Sequence, residues 1–247
     1  MTQTVLITGG LGYVGGRITK FLSENSDSNL IIADIGKNVP DPTWLKKGKI
    51  VNLDLCSEKL DDICKGVDCI IHLAATNEIE SGENPEKALL VNGMGSLKLL
   101  RSAEKNKVKR FLYFSTAHVY KSPLSGTIDE VMLTRPGHPY AITHKVAEDF
   151  ILASHDRRNI DGIIIRMSNS FGAPVNPEVN RWTLLVNDLC RQVVATKKLT
   201  LKSSGTQERD FVTLEDVCRA VLHLLYLPSD KIGDGIFNLG GEKSLSI

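Results

Sequence analysis

Three glycines at positions 9, 12 and 15, set between a strand-like stretch and a helix-like one, constrain this chain more than any other feature. Thr4-Val5-Leu6-Ile7-Thr8 precedes them, and Tyr13–Ser23 follows with helical periodicity. A turn spaced G-x-x-G-x-x-G brings backbone N–H groups against a pyrophosphate at a helix N-terminus, where any side chain would block the approach. A bare glycine motif fits a tight packing turn equally well, so the context decides. Asp34 closes the next strand, Asn29–Asp34, 19 residues beyond Gly15. A carboxylate there accepts both adenosine ribose hydroxyls and repels a 2′-phosphate, which predicts NAD rather than NADP. Lys37 is the nearby residue that opposes this preference. Gly9, Gly12, Tyr13, Val14, Gly15 and Asp34 are therefore the expected cofactor contacts. Asp54, with Leu55 after it, either meets the adenine edge or serves as a strand-end turn or helix cap.

Around this motif, short β-branched runs alternate with amphipathic stretches. Strands are expected over Thr4–Thr8, Asn29–Asp34, Lys49–Asp54, Asp68–Ala74, Arg110–Ser115 and Gly162–Arg166, and helices over Tyr13–Ser23, Ser57–Lys65, Pro85–Lys105 and Tyr140–His155. Cys69-Ile70-Ile71-His72-Leu73 is apolar on consecutive positions, the mark of a strand covered on both faces, hence of a parallel sheet. Strict alternation means βαβ units. The predicted class is α/β: a Rossmann-type doubly wound parallel sheet over 1–165, then a smaller substrate-binding part over 166–247. The second part is expected to hold a helix near Asn180–Thr196, a strand near Leu199–Leu201, a helix near Leu214–Leu225 and a strand over Gly235–Leu239. Residues 242–247 read as a helix start with Ser244 as N-cap, which suggests a chain that continues past Ile247.

Composition narrows the class further. Thirty Lys+Arg against 29 Asp+Glu provide no field for nucleic acid or an anionic membrane. No apolar run approaches the roughly 18–20 residues that span a bilayer, and no secretory leader is evident. Five cysteines without a Cys-x-x-Cys pair argue against a disulfide framework or a metal site, and for reduced thiols in the cytoplasm.

Six segments together resemble the extended short-chain dehydrogenases/reductases, the NAD-dependent epimerase/dehydratase group that acts on nucleotide sugars. Besides the glycine loop, these are His72-Leu73-Ala74-Ala75, Val91-Asn92-Gly93-Met94-Gly95-Ser96, Phe114-Ser115-Thr116-Ala117-His118-Val119-Tyr120, Arg166-Met167-Ser168-Asn169-Ser170-Phe171-Gly172 and Gly205–Val212 with its Arg209-Asp210-Phe211. The resemblance implies that Leu73, Ala74, Ala75, Asn92 and Ser115 lie at the cofactor and that Thr116 hydrogen-bonds the reacting sugar hydroxyl. It implies further that Tyr140 is the acid/base, and that Asn169 and Arg209 contact the substrate diphosphate. A guanidinium suits that last task. Ser81 stands where the family has a substrate-loop serine, or else caps the helix near Pro85. His72 reads as a packed strand-end imidazole. The implied partner is a nucleotide sugar, with a homodimer possible.

One departure matters. The family signature is Tyr-x-x-x-Lys, but Pro139-Tyr140-Ala141-Ile142-Thr143-His144-Lys145 places His144 fourth and the lysine fifth. On an α-helix the fourth residue lies about 40° round from the first and the fifth about 140°. Lys145 therefore points away unless a π-bulge intervenes, and a regular helix is expected. In the family the lysine binds the nicotinamide ribose and lowers the tyrosine pKa. An unshifted phenol of pKa about 10 is only about 0.1% ionised at pH 7. His144 is either a working substitute, protonated or neutral, or the sign of catalysis tuned differently or lost. The expected function is an NAD-dependent nucleotide-sugar epimerase acting through C4. The alternatives are a sugar-nucleotide reductase or dehydrogenase and a weakly active NAD-binding sensor. The Thr-Asp-Glu of the 4,6-dehydratases is replaced by Thr116-Ala117-His118.

Overall fold

The computed structural model describes residues 2–36, 42–57, 60–121, 123–201 and 203–247; Lys37 lies outside them. The chain opens with β1 (Thr4–Thr8), α1 (Tyr13–Asn25), β2 (Asn29–Asp34), β3 (Gly48–Asn52), α2 (Leu60–Cys64) and β4 (Cys69–His72). Next come α3 (Glu78–Glu83) and α4 (Pro85–Ala88), which runs through a π-helical segment, Leu89–Gly95, into α5 (Ser96–Lys105). After β5 (Arg110–Thr116) and a 3₁₀ turn (Ala117–Val119), α6 (Pro139–Asp156) leads to β6 (Asp161–Met167). The remainder holds β7 (Asn169–Phe171), α7 (Leu185–Thr196), β8 (Glu208–Arg209), β9 (Phe211–Thr213), α8 (Leu214–Tyr226), a 3₁₀ turn (Ser229–Lys231), β10 (Ile236–Leu239) and β11 (Leu245–Ser246).

Seven strands form one sheet in the order β10-β6-β5-β4-β1-β2-β3, and every pairing in it is parallel. The order reverses between β1 and β4, which opens a crevice at the strands' carboxyl ends. Alternate residues of each strand feed two cores. Val5, Ile7, Ile32, Leu112 and Ile163 pack with Ile18 and Leu22 of α1 and with Val217, Val221 and Leu225 of α8. Leu6, Ile70, Phe111 and Ile164 pack on the other face with Leu60 of α2, Leu99 and Ala103 of α5, and Ala147 and Ile151 of α6. Each fully buried Leu or Ile contributes about 1.5–3 kcal/mol, so covering both faces is what holds a parallel sheet together. Arg110 ties the first layer down: its Nη1 donates to the carbonyls of Leu224 and Leu225, 2.9 Å each, at the end of α8, and its Nη2 pairs with Asp161.

Several expectations are corrected. The sheet crosses the division placed at residue 165, because β10 is its edge strand and α8 covers one face. No strand forms at 199–201. Residues 242–247 do not start a helix; Leu245 and Ser246 pair antiparallel with Arg209 and Glu208. That partner strand lies far off in sequence, and local capping signals cannot report it. The Pro85 helix is capped by Asn84, whose side chain accepts from the Lys87 N–H at 2.9 Å, and not by Ser81. Among the described residues, no helix is long and apolar enough to cross a membrane.

Candidate active site

A cleft of about 730 Å³ opens where the strand order reverses. Its floor is the turn between β1 and α1. Gly9 sits at φ +69°, and a side chain there would meet the backbone of Ala74 at 2.8 Å. A Cβ at Gly15 would lie 2.0 Å from the Gly9 carbonyl oxygen. Glycine is therefore required by the fold of the loop itself, which lays α1 directly over the turn. The N-cap, Gly12, provides no side-chain cap, and the first turn of α1 holds no acidic residue. A thirteen-residue helix thus presents uncapped N–H groups and its positive dipole end to the cleft, the environment that suits a pyrophosphate.

Asp34 lies beside this floor. Its Oδ2 accepts the Leu11 N–H and its Oδ1 the Ile35 N–H, both at 2.8 Å. Burial raises its pKa, and the two N–H donors partly offset that. Gly9, Gly12, Tyr13, Val14, Gly15, Asp34, Asp54, Leu55, Leu73, Ala74, Ala75, Ser115, Thr116, Tyr140, His144 and Asn169 all line the one cavity. The loop, the acidic strand end and the apolar strand ends together fit an adenine dinucleotide. Asp54 follows β3, and its carboxylate accepts the Cys56 N–H at 2.8 Å, so it is the turn residue of that loop as well as a wall of the cleft.

Three expected residues are placed elsewhere. Asn92 is fully buried in the π-helical segment, where it accepts the Thr76 N–H at 2.8 Å and donates to Thr143 at 3.0 Å. It braces the loop after β4 against α6 from behind the cavity wall. Ser81 is fully buried on α3 and bonds the Thr76 hydroxyl at 2.9 Å. Arg209 is exposed on β8; its charge is felt at His118, which lines the cleft, so it belongs to the rim.

Helix α6 begins at Pro139 behind the His138 cap and runs as a regular α-helix. Tyr140 and His144 lie one turn apart with ring centroids 4.4 Å apart, edge to face. Lys145 turns aside and pairs with Asp149 on its own helix. Burial depresses the His144 pKa to about 4, so the ring is neutral. Its Nδ1 lies 2.8 Å from the Tyr113 hydroxyl, and its Nε2 makes no well-formed hydrogen bond. The Tyr140 phenol is pushed up to about 12, first by burial and then by the Glu78 carboxylate, against a smaller lowering by Arg181. Thr116, at the end of β5, accepts the His118 N–H at 3.2 Å.

The structure adds Glu78, His118 and Arg181 to the cleft. Arg181, from the loop before α7, pairs with Glu78 at 3.3 Å and so links the substrate side to α3. His118 has its pKa lowered, mainly by burial and then by Arg209. No spacing rule marks Glu78 or Arg181; they are 103 residues apart and meet only through the fold. Tyr13 is a second such link, with its hydroxyl donating to the Gly172 carbonyl at 2.9 Å.

The model of the NAD dependent epimerase/dehydratase family matches residues 5–240. The chain belongs to that family. It is thus an NAD-dependent enzyme on a Rossmann-type sheet. A putative UDP-glucose 4-epimerase of Methanocaldococcus jannaschii is 28% identical over 98% of this chain and 78% of its own. A dTDP-glucose 4,6-dehydratase of Streptomyces niveus is 26% identical over 98% and 74%. The UDP-glucuronic acid 4-epimerase of Bacillus cereus, solved with UDP-glucuronic acid and NAD, superposes with a TM-score of 0.84 at 26% identity, covering 99% of this chain and 80% of that one.

Proposed function

We propose that this enzyme acts on a nucleotide sugar and is an epimerase working through transient oxidation at C4. The observation that carries the reading is the meeting of Tyr140 and Thr116 with the glycine loop in one cleft, while Ala117 stands where an elimination would need a carboxylic acid. NAD, when bound, takes up and returns the hydride at C4. Tyr140 then needs only to remove the C4 hydroxyl proton and give it back, with Thr116 hydrogen-bonding the same hydroxyl. His144 serves the cofactor side. Asn169 in the wall and Arg209 at the rim hold the diphosphate, the guanidinium suiting a phosphate's paired oxygens. Asp34 supports a preference for NAD over NADP.

The neutral His144 and the raised Tyr140 phenol favour a second reading, a slow enzyme or an NAD-binding sensor. A sugar-nucleotide reductase or dehydrogenase is the third. One experiment separates them: UDP-, dTDP- and GDP-sugars are incubated with the protein while epimer formation and absorbance at 340 nm are followed. Epimer without net NADH supports the proposal. Net NADH formation or consumption means a dehydrogenase or reductase, and tight NAD binding without turnover means a sensor. The proposal extends to a cytoplasmic homodimer, supported by five free thiols and by exposed Leu89, Leu90, Met94, Ile142 and Phe150 on the adjoining π-helical segment and α6. A monomeric mass in sedimentation would remove the dimer.

A further inference from the structure

Behind the catalytic wall, five rings stand in file. Phe111 meets His72 at 5.7 Å, His72 meets Tyr113 at 5.5 Å, Tyr113 meets His144 at 5.6 Å, and His144 meets Tyr140 at 4.4 Å. His72, Tyr113 and His144 are each buried to within a few per cent. Their polar atoms form two short hydrogen-bonded runs whose proton directions follow from what each group can accept. The Ser96 hydroxyl donates to the Asn92 carbonyl at 2.5 Å. Its one proton is thereby used, so the 2.8 Å contact with His72 Nε2 has histidine as donor. A neutral His72 then has a bare Nδ1, and the Thr8 hydroxyl donates to it at 2.5 Å.

The same accounting applies to His144. Its Nδ1 faces the Tyr113 hydroxyl at 2.8 Å. In one arrangement Nδ1–H donates to Tyr113, whose own proton then turns to Ser96. That leaves Nε2 a buried lone pair with no donor, while the Ser96 oxygen, which has two lone pairs, accepts from both His72 and Tyr113. In the other, Tyr113 donates to Nδ1 and the ring carries its proton on Nε2. The backbone of Phe114 favours a proton on this ring, and with Nδ1 occupied by Tyr113 that proton belongs on Nε2. Nε2 has no well-formed protein partner in either arrangement, and the Phe114 backbone is what selects the second.

We propose that Tyr113 is a positioning residue that donates to Nδ1 of His144 and fixes the ring as its Nε2–H tautomer, keeping a neutral N–H donor in the cavity wall for the cofactor. The family's lysine offers a cation at this helical position; here a tyrosine on β5 holds an uncharged donor in its place. The proposal rests on the assignment of His144 to the cofactor side of the reaction.

Nitrogen-15 spectra of histidine-labelled protein test it without substrate, with the His144 signals assigned by their loss in His144→Gln. Wild type should show a pyridine-like Nδ1 and a pyrrole-like Nε2. Tyr113→Phe should move both towards a tautomer average and weaken NAD binding by roughly tenfold, the worth of one hydrogen bond. A pyrrole-like Nδ1 in wild type, or unchanged His144 shifts in Tyr113→Phe, would overturn the proposal. So would changed shifts with NAD affinity unaltered. Failure of the nucleotide-sugar reading looks different: wild type would show the expected tautomer and bind NAD, yet turn over no sugar nucleotide.

Discussion

Tyr140 holds its proton too tightly to act at neutral pH unless positive charge reaches it, and the residue one turn on cannot supply that charge. His144 is buried and neutral, which excludes the protonated form that the sequence left open. Two outcomes follow at the scale of single residues. His144→Lys should lower the pH optimum or raise the rate at neutral pH, because the charge returns beside the phenol. Lys145→Ala should leave the rate unchanged and cost no more than the few tenths of a kcal/mol of an i,i+4 pair. A loss of turnover in Lys145→Ala would mean that the lysine reaches the cofactor after all. The second outcome concerns stability. His144 and His72 have folded pKa values depressed to about 4 and about 3, below about 6.5 in an unfolded chain. Between these values the unfolded chain binds more protons, so stability is full above about pH 6.5 and is lost as pH falls towards 4. Thermal melts should show Tm dropping across that window, and His144→Gln should flatten the drop. An equally steep drop in His144→Gln would count against the buried, neutral ring.

At the scale of elements, the irregular turn is in the chain but not where the lysine needs it. The π-helical segment falls over Leu89–Gly95, where it carries the buried Asn92 that braces α6, while α6 itself is regular. Helix α3 matters for a different reason. Asn77 caps it through the Ile79 and Glu80 N–H groups, and its first residue, Glu78, raises the Tyr140 pKa more than Arg181 lowers it. Glu78→Gln should therefore remove the larger opposing charge and release Arg181 from its pair. The acidic limb of the pH–rate profile should move to lower pH, with a gain of about two- to fivefold at neutral pH, the range of a partly exposed charge pair. An unmoved profile would place Glu78 outside the electrostatic reach of the phenol.

At the scale of the whole molecule, one buried ion pair joins the layers under the cleft. Arg166 of β6 pairs with Glu148 of α6 at 2.8 Å, with both side chains almost wholly buried. Glu148 also accepts from Ser115 of β5 at 2.5 Å, and Arg166 donates to the Tyr120 hydroxyl at 2.8 Å. Tyr120 in turn donates to Asn238 of β10 at 2.7 Å. Glu148→Gln leaves a buried guanidinium without its counter-charge and should cost about 3–5 kcal/mol in urea unfolding. Replacing both partners, as in Glu148→Met with Arg166→Met, should cost much less, since no charge is then stranded. Equal losses in the single and double variants would show that packing volume, not charge, sets the cost.

The sequence by itself determined the alternation that makes a parallel sheet, the β1–α1 glycine turn, the strand ending in Asp34 and the absence of a lysine facing Tyr140. These are readable because strand period, helix period and the steric demand for glycine act over a few neighbouring residues. The place of the Ile236–Leu239 strand at the edge of the main sheet, the pairing of 245–246 with 208–209, the inward turn of Ser81 and Asn92, and the meetings of Glu78 with Arg181 and Tyr113 with His144 were decided only by the tertiary structure. Each joins segments that no local period connects. The charge on His144 belongs to the same class, because an imidazole takes its protonation state from the burial and partners that packing creates.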